Sequence, residues 1–190
     1  GHNSRGKFPY PSEGSFRIAQ PASGYIWDRA HEAGVSYRSY GQFIALGATT
    51  NAPYRAKVPS LEGHFDPGFR PWDMDYPDVK RAERFVSELK RFEREGSMPR
   101  LQIVRLPNDH TYGTSPGKPT PHAMVADNDL ALGMLIEGVT HSKFWATTAI
   151  FVLEDDAQNG PDHVDATRTV ALMAGPWVKR GAVVSDRFDR

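Results

Sequence analysis

Twice along this chain an apolar, strand-like run ends abruptly in an acid–histidine turn. Residues 100–106 empty into Pro107-Asn108-Asp109-His110-Thr111, and residues 147–153 into Glu154-Asp155-Asp156, with Asp162-His163 and Asp165 soon after. Between positions 154 and 165 stand five acidic residues and a histidine. Like charges at this density repel unless a cation offsets them. Parallel α/β sheets keep their chemistry at the carboxyl ends of their strands. If these two strands lie parallel in one sheet, both turns fall along the same edge.

The remaining periodicity agrees with such a sheet. Residues 25–33 have helical character and stop at Gly34, and residues 35–40 alternate as a strand does. Asp78 is placed to cap a helix that runs to Glu95 and stops at Gly96, with Val79, Ala82, Phe85, Val86, Leu89 and Phe92 on one face. Residues 124–139 read as a third helix and 169–174 as a fourth strand closed by Gly175-Pro176. Residues 47–75 carry prolines at 53, 59, 67 and 71 and read as a loop, either a surface excursion or a lid. Residues 1–23 are rich in Pro, Gly and Ser, and residues 1–14 read as an irregular lead-in or expression remnant before a domain at 15–190. Helices alternating with strands predict an α/β fold with a mainly parallel sheet and crossover helices.

Composition removes several function classes. Lys+Arg and Asp+Glu both number 23, so the basic surplus expected of a nucleic-acid binder is missing. No apolar run approaches the ~18 residues needed to span a bilayer. The absence of cysteine excludes disulfides, thiolate catalysis and Cys-based zinc sites. The chain starts Gly1-His2 without a Met or a secretory signal, and reads as a piece of a longer protein.

Asp109 and His110 form one candidate cluster, and Asp155, Asp156, Asp162 and His163 the other. Carboxylate oxygens with imidazole nitrogens suit Zn²⁺, Mn²⁺ or Fe, whereas an all-oxygen set favours Mg²⁺ or Ca²⁺. Other motifs take plainer readings. Asp127-Asn128-Asp129 lacks the later Gly and Glu of a calcium loop and reads as a helix cap or first turn. Residues 113–120 fail the Walker spacing, and Pro119 follows the lysine, although a loop beside Asp109-His110 is placed to touch substrate. His31 and His141 read as surface or capping residues, His64 and His122 stay open, and the four tryptophans read as packing residues. No Gly-x-Ser-x-Gly elbow is present.

Leu106-Pro107-Asn108-Asp109-His110-Thr111, then Met124-Val125-Ala126-Asp127-Asn128-Asp129, then residues 154–165 resemble the bacterial phosphoesterase family of the alkaline phosphatase superfamily. Gly24-Tyr25-Ile26-Trp27-Asp28 and residues 34–41 resemble its β-propeller-fused branch. The resemblance covers the chain from about residue 15 onward and implies a three-layer α/β/α sandwich, alkaline phosphatase-like, of which this chain is the central and C-terminal part. It implies a metal-dependent phosphomonoesterase or phospholipase C-like phosphodiesterase, with Zn or Mn as the first expectation and Fe or Ca as further options. By resemblance Asp109, Asp155 and Asp156 hold metal, and His163 holds metal or supports its ligands. His110 contacts metal or phosphoryl group or protonates the leaving oxygen. Thr167 stands where many relatives carry a second histidine. The Ser or Thr nucleophile falls upstream of the matched region. The substrate is a small phosphate ester or a phospholipid, the parent protein carries an N-terminal β-propeller, and a periplasmic or secreted location follows from the family alone. The rival expectation is a non-catalytic metal-binding or interaction module. A third is a calcium-stabilised surface domain, which melts in a Ca²⁺-dependent way without turning over phosphate esters.

Overall fold

In the computed structural model, residues 16–49, 51–154 and 169–186 are described, and the chain divides into two compact units, 1–142 and 143–190. In the first unit, helix α1 (Ile26–Glu32) begins where the Tyr25 N–H donates to Asp28 Oδ2 at 2.7 Å. It ends as expected before Gly34, whose φ of +66° suits a residue without Cβ. The chain then enters strand β1 (Tyr37–Tyr40), of which Tyr37, Ser39 and Tyr40 are buried. Trp27, Ala30 and Tyr37 form a core with Ile44, Val58 and Leu61, and the rings of Tyr25 and Phe43 pack on Trp27.

The segment 47–75 is packed into the first unit rather than running free over its surface. Strand β2 (Ile44–Ala45) pairs antiparallel with β3 (Arg55–Ala56), Phe65 bridges to Ser39 alongside β1, and Val58, Leu61, Asp66, Phe69 and Pro71 are buried. Its prolines mark turns within packed structure, a distinction that Pro spacing does not make.

Helix α2 (Asp78–Glu95) is capped by Pro77, so Asp78 is its first helical residue and not its cap. It stops at Gly96 in the left-handed region, φ +82°. Strand β4 (Leu101–Val104) then lies parallel to β1, with Leu101 opposite Tyr37 and Val104 opposite Tyr40. Helix α3 (Pro121–Thr140) starts three residues before the expected position, because Pro121 suits the first helical turn and Thr120 Oγ1 accepts the Ala123 N–H. It therefore carries Asp127-Asn128-Asp129 beyond its first turn. The two long helices pack closely at Gly138, where a Cβ would stand 3.1 Å from Val86 Cγ2.

In the second unit, β5 (Ile150–Leu153) pairs with β6 (Ala171–Ala174) antiparallel, Ile150 opposite Ala174. These strands were expected in a mainly parallel sheet. A parallel partner needs a crossover connection and an antiparallel one does not, and the apolar spacing of two strands is the same in either case. The described architecture is thus mixed α/β with one parallel pair. Among the described residues no helix is long and apolar enough to cross a membrane. Trp27 is a packing residue as expected, whereas Trp177 is 71% exposed and Trp72 stands at the surface beside His110.

Candidate functional site

Beyond β4 the chain turns sharply through a 3-10 turn, Pro107–His110. Asn108 holds this turn from inside. Its N–H donates to Asp78 Oδ2 at 2.9 Å, and its Nδ2 donates to Asp127 Oδ2 at 2.9 Å and to the Tyr76 carbonyl. Asp127 Oδ2 also accepts the Asp78 N–H at 2.6 Å, while Asn128 Nδ2 donates to Asp78 Oδ2 and to the Leu106 carbonyl, both at 3.0 Å. Four segments meet here: the loop before α2, the first turn of α2, the turn after β4, and α3. Asn108 Oδ1 is buried and accepts no hydrogen bond from the described residues.

Asp78 is also one half of a fully buried ion pair, its Oδ1 accepting from Arg81 Nη1 at 2.9 Å. The remaining Arg81 donors go to the carbonyls of Arg70, Tyr76, Pro71 and Asp73, which uses all five guanidinium N–H groups. One cation thereby moors residues 70–76 to α2. Burial pushes the Asp78 carboxyl up, and the bonds from Asn108, Asn128 and Arg81 work against it. Removing either ion alone would strand its partner, which costs about 3–5 kcal/mol in buried pairs.

With its inner side fixed, the turn carries Asp109 and His110 on the surface, just past the carboxyl end of a parallel strand, as the sequence predicts. The His110 ring meets Trp72 edge to face, centroids 5.2 Å apart, and the Arg105 guanidinium lies 4.4 Å from the centre of the indole. Thr111 follows with φ +56° and ψ 167°, a region that is essentially glycine-only. The loop then folds back so that Tyr112 Oη donates to Asp75 Oδ1 at 2.9 Å and Lys118 Nζ donates to the same oxygen. Lys118 Nζ also sits 4.4 Å from the centre of the Tyr112 ring. The Lys118 and Tyr112 hydrogen bonds hold the Asp75 carboxyl below its usual range, and the Asp75 bond holds the Lys118 ammonium above its own.

Asp155, Asp156, Asp162, His163, Asp165 and Thr167 lie outside the described residues. Among the described residues no group of three or more His, Asp or Glu side chains is arranged to hold a metal ion. Of the other histidines, His64 stacks on Tyr37 at 4.4 Å and His141 Nδ1 donates to the Glu137 carbonyl at the end of α3, the capping role expected of it. His31 is exposed on α1 and His122 on α3.

Sequence reasoning missed Asp78, Arg81, Asn108, Asp127 and Asn128 as the scaffold of the turn. A signal was present. Met124, Ala131, Leu135 and Val139 form the buried stripe of α3, and positions 127 and 128 fall on that same stripe. Polar residues on an apolar helical face announce a buried polar network. No family model matches the chain, and no curated protein and no solved structure matches it either.

Proposed function

We propose that this chain is the central and C-terminal part of a metal-dependent phosphate-ester hydrolase, a phosphomonoesterase or phospholipase C-like phosphodiesterase, built on a three-layer α/β/α sandwich. The observation that carries the reading is the Asp109–His110 turn: an oxygen and a nitrogen donor at the carboxyl end of a parallel strand, held from behind by a buried network and flanked by a lysine-bearing loop. The motif resemblance gives the chemical class.

By the motif resemblance Asp109, Asp155 and Asp156 would hold the metal and His163 would bind or support it, and carboxylates with an imidazole suit Zn²⁺ or Mn²⁺, with Fe or Ca²⁺ as alternatives. When bound, the metal supplies Lewis-acid stabilisation of the phosphoryl oxygens and acidifies a hydroxyl nucleophile. His110, exposed and oriented by Trp72, is placed to donate a hydrogen bond to the phosphoryl group or a proton to the leaving oxygen. Asn108 and Asp78 keep the turn from relaxing, so that both donors hold their positions without reorganisation. The nucleophile, a Ser or Thr, is assigned to sequence upstream of this chain.

The test is hydrolysis of p-nitrophenyl phosphate and its bis-ester over Zn²⁺, Mn²⁺ and Ca²⁺, by the 190-residue chain and by a version extended upstream. Metal-dependent turnover by the extended protein is expected, with a loss of roughly a hundredfold or more in Asp109→Ala and in His110→Gln. Turnover by the short chain would move the nucleophile inside it. Metal binding without turnover of either ester by the extended protein would leave the non-catalytic module as the better reading.

A further inference from the structure

We propose that Lys118 and Tyr112 form an oxyanion-binding pair for a phosphate monoester, and that the Asp75 carboxylate occupies the place of a phosphoryl oxygen until the ligand arrives. This rests on the hydrolase reading and deepens it by assigning phosphate recognition to two named side chains of the loop that follows the Asp109–His110 turn.

An ammonium and a phenol hydroxyl converge on one acceptor, Asp75 Oδ1. Two donors from a single short loop, aimed at one anionic oxygen, are the arrangement that recognises a phosphoryl oxygen. Phosphate offers the same acceptor with about twice the charge at neutral pH, and charge-assisted bonds to it are the stronger kind. The present occupant is weakly held. Asp75 and Lys118 are exposed, and water and salt screen such a surface ion pair so that it holds its partners only weakly. A dianion therefore competes well for the same donors.

The placement of the loop points the same way. Its first residue donates an N–H to the Asn108 carbonyl at 3.1 Å, so the loop is tied to the turn that presents Asp109 and His110. Gly113 and Gly117 have φ of +57° and +75°, and the Cβ that either lacks would meet nothing within 4 Å, so the loop has room to shift as the ligand displaces Asp75. Asp75 itself stands on the segment moored by Arg81, so the loop moves against a fixed reference. Among the other cations, three arginines are already engaged with acceptors of their own. Arg84 and Arg91 each bind acidic side chains in bidentate fashion, and Arg81 has spent every donor on buried acceptors.

The experiment is a titration of the full 190-residue chain, kept in EDTA, with inorganic phosphate and separately with phosphatidylcholine vesicles containing phosphatidic acid, read by amide chemical shifts of residues 111–118 and by calorimetry. Lys118→Met is expected to weaken binding roughly tenfold or more. Asp75→Asn, which keeps an acceptor but removes the competing charge, is expected to tighten it by up to about fivefold. Dependence on these residues with free phosphate would identify a soluble ester as the source. The same dependence with vesicles alone would identify a lipid headgroup, and either supports the pair. Binding that ignores both substitutions, or no binding in either titration, overturns it. Both side chains are exposed, so unchanged circular dichroism is expected for each variant. Because no metal and no turnover enter this readout, its failure leaves the hydrolase reading to stand or fall on the ester assay.

Discussion

Thr111 sits at φ +56° and ψ 167°, where a β-branched side chain clashes with its own backbone. Such a conformation costs of order 1–3 kcal/mol and persists only where neighbours over-determine it. Here the Thr111 N–H donates to the Asn108 carbonyl at 3.1 Å, and Thr111 Oγ1 accepts the Gly113 N–H at 3.2 Å. Asn108 in turn is held by Asp78 and Asp127. The strain thus joins the residue that carries the imidazole to the loop that carries Lys118. Thr111→Gly relieves the clash and gives back part of the gain as entropy of the unfolded chain, so a net stabilisation of about 1 kcal/mol is expected. Urea denaturation of the two proteins measures it. A loss of stability of that size would mean that the Oγ1 bond outweighs the strain. The protein is expected to become more stable while the 111–118 loop loses its fixed starting point.

At the scale of the element, α2 shows what periodicity reads and what it cannot. Its length, its stop at Gly96 and the burial of Ala82, Phe85, Leu89 and Phe92 follow from apolar spacing alone. The buried face also holds Asp78, Arg81 and Glu88. For Asp78 and Glu88 some decisive partners lie far away in sequence: Asn108 is 30 residues from Asp78, and Arg38 is 50 residues from Glu88. The turn itself was legible from the strand that empties into it; of its scaffold, only the polar positions 127 and 128 on the apolar stripe of α3 left a trace in the sequence, and that trace does not name their distant partners. Glu88 makes a sharper prediction. Burial pushes its carboxyl up, but Arg91, Arg38 and Arg84 together outweigh that and hold it below the ordinary value of 4.5. A carboxyl depressed in the folded state contributes stability that is present above its unfolded value and is lost as pH falls through the folded one. Glu88→Gln is therefore expected to cost about 1–2 kcal/mol at pH 7, since three partly solvated guanidinium groups lose their shared negative charge and one of its two acceptor oxygens. The cost should shrink as pH falls below 4.5 and vanish beneath the folded value. Paired urea titrations over that range check it, and a pH-independent difference would count against the assignment.

For the whole molecule, the expectation of one mainly parallel sheet met two units of different build. The first buries Tyr40, Phe69, Phe85 and Leu89 among others around a parallel β1–β4 pair and two long packed helices. In the second, Phe151, Leu153, Leu172, Met173 and Trp177 are all more than half exposed. Hydrophobic spacing identified both sets of strands, but it does not report which strand becomes whose neighbour, and direction of pairing was the part misread. The physical consequence lies in local stability. A two-stranded antiparallel pair is marginal in water unless further strands or a helix cover a face. The amides of β5 and β6 are therefore expected to open through local fluctuations, while those of α2, α3, β1 and β4 require disruption of the packed core. Native-state hydrogen exchange followed by mass spectrometry measures the difference directly. Opening of the β5–β6 ladder is expected at a free energy lower by about 2 kcal/mol or more, which is roughly thirtyfold in exchange rate. Peptides from β5 and β6 as slow to exchange as those of α2 would show that these strands are covered in solution, and their exposed apolar side chains would then mark the covered face.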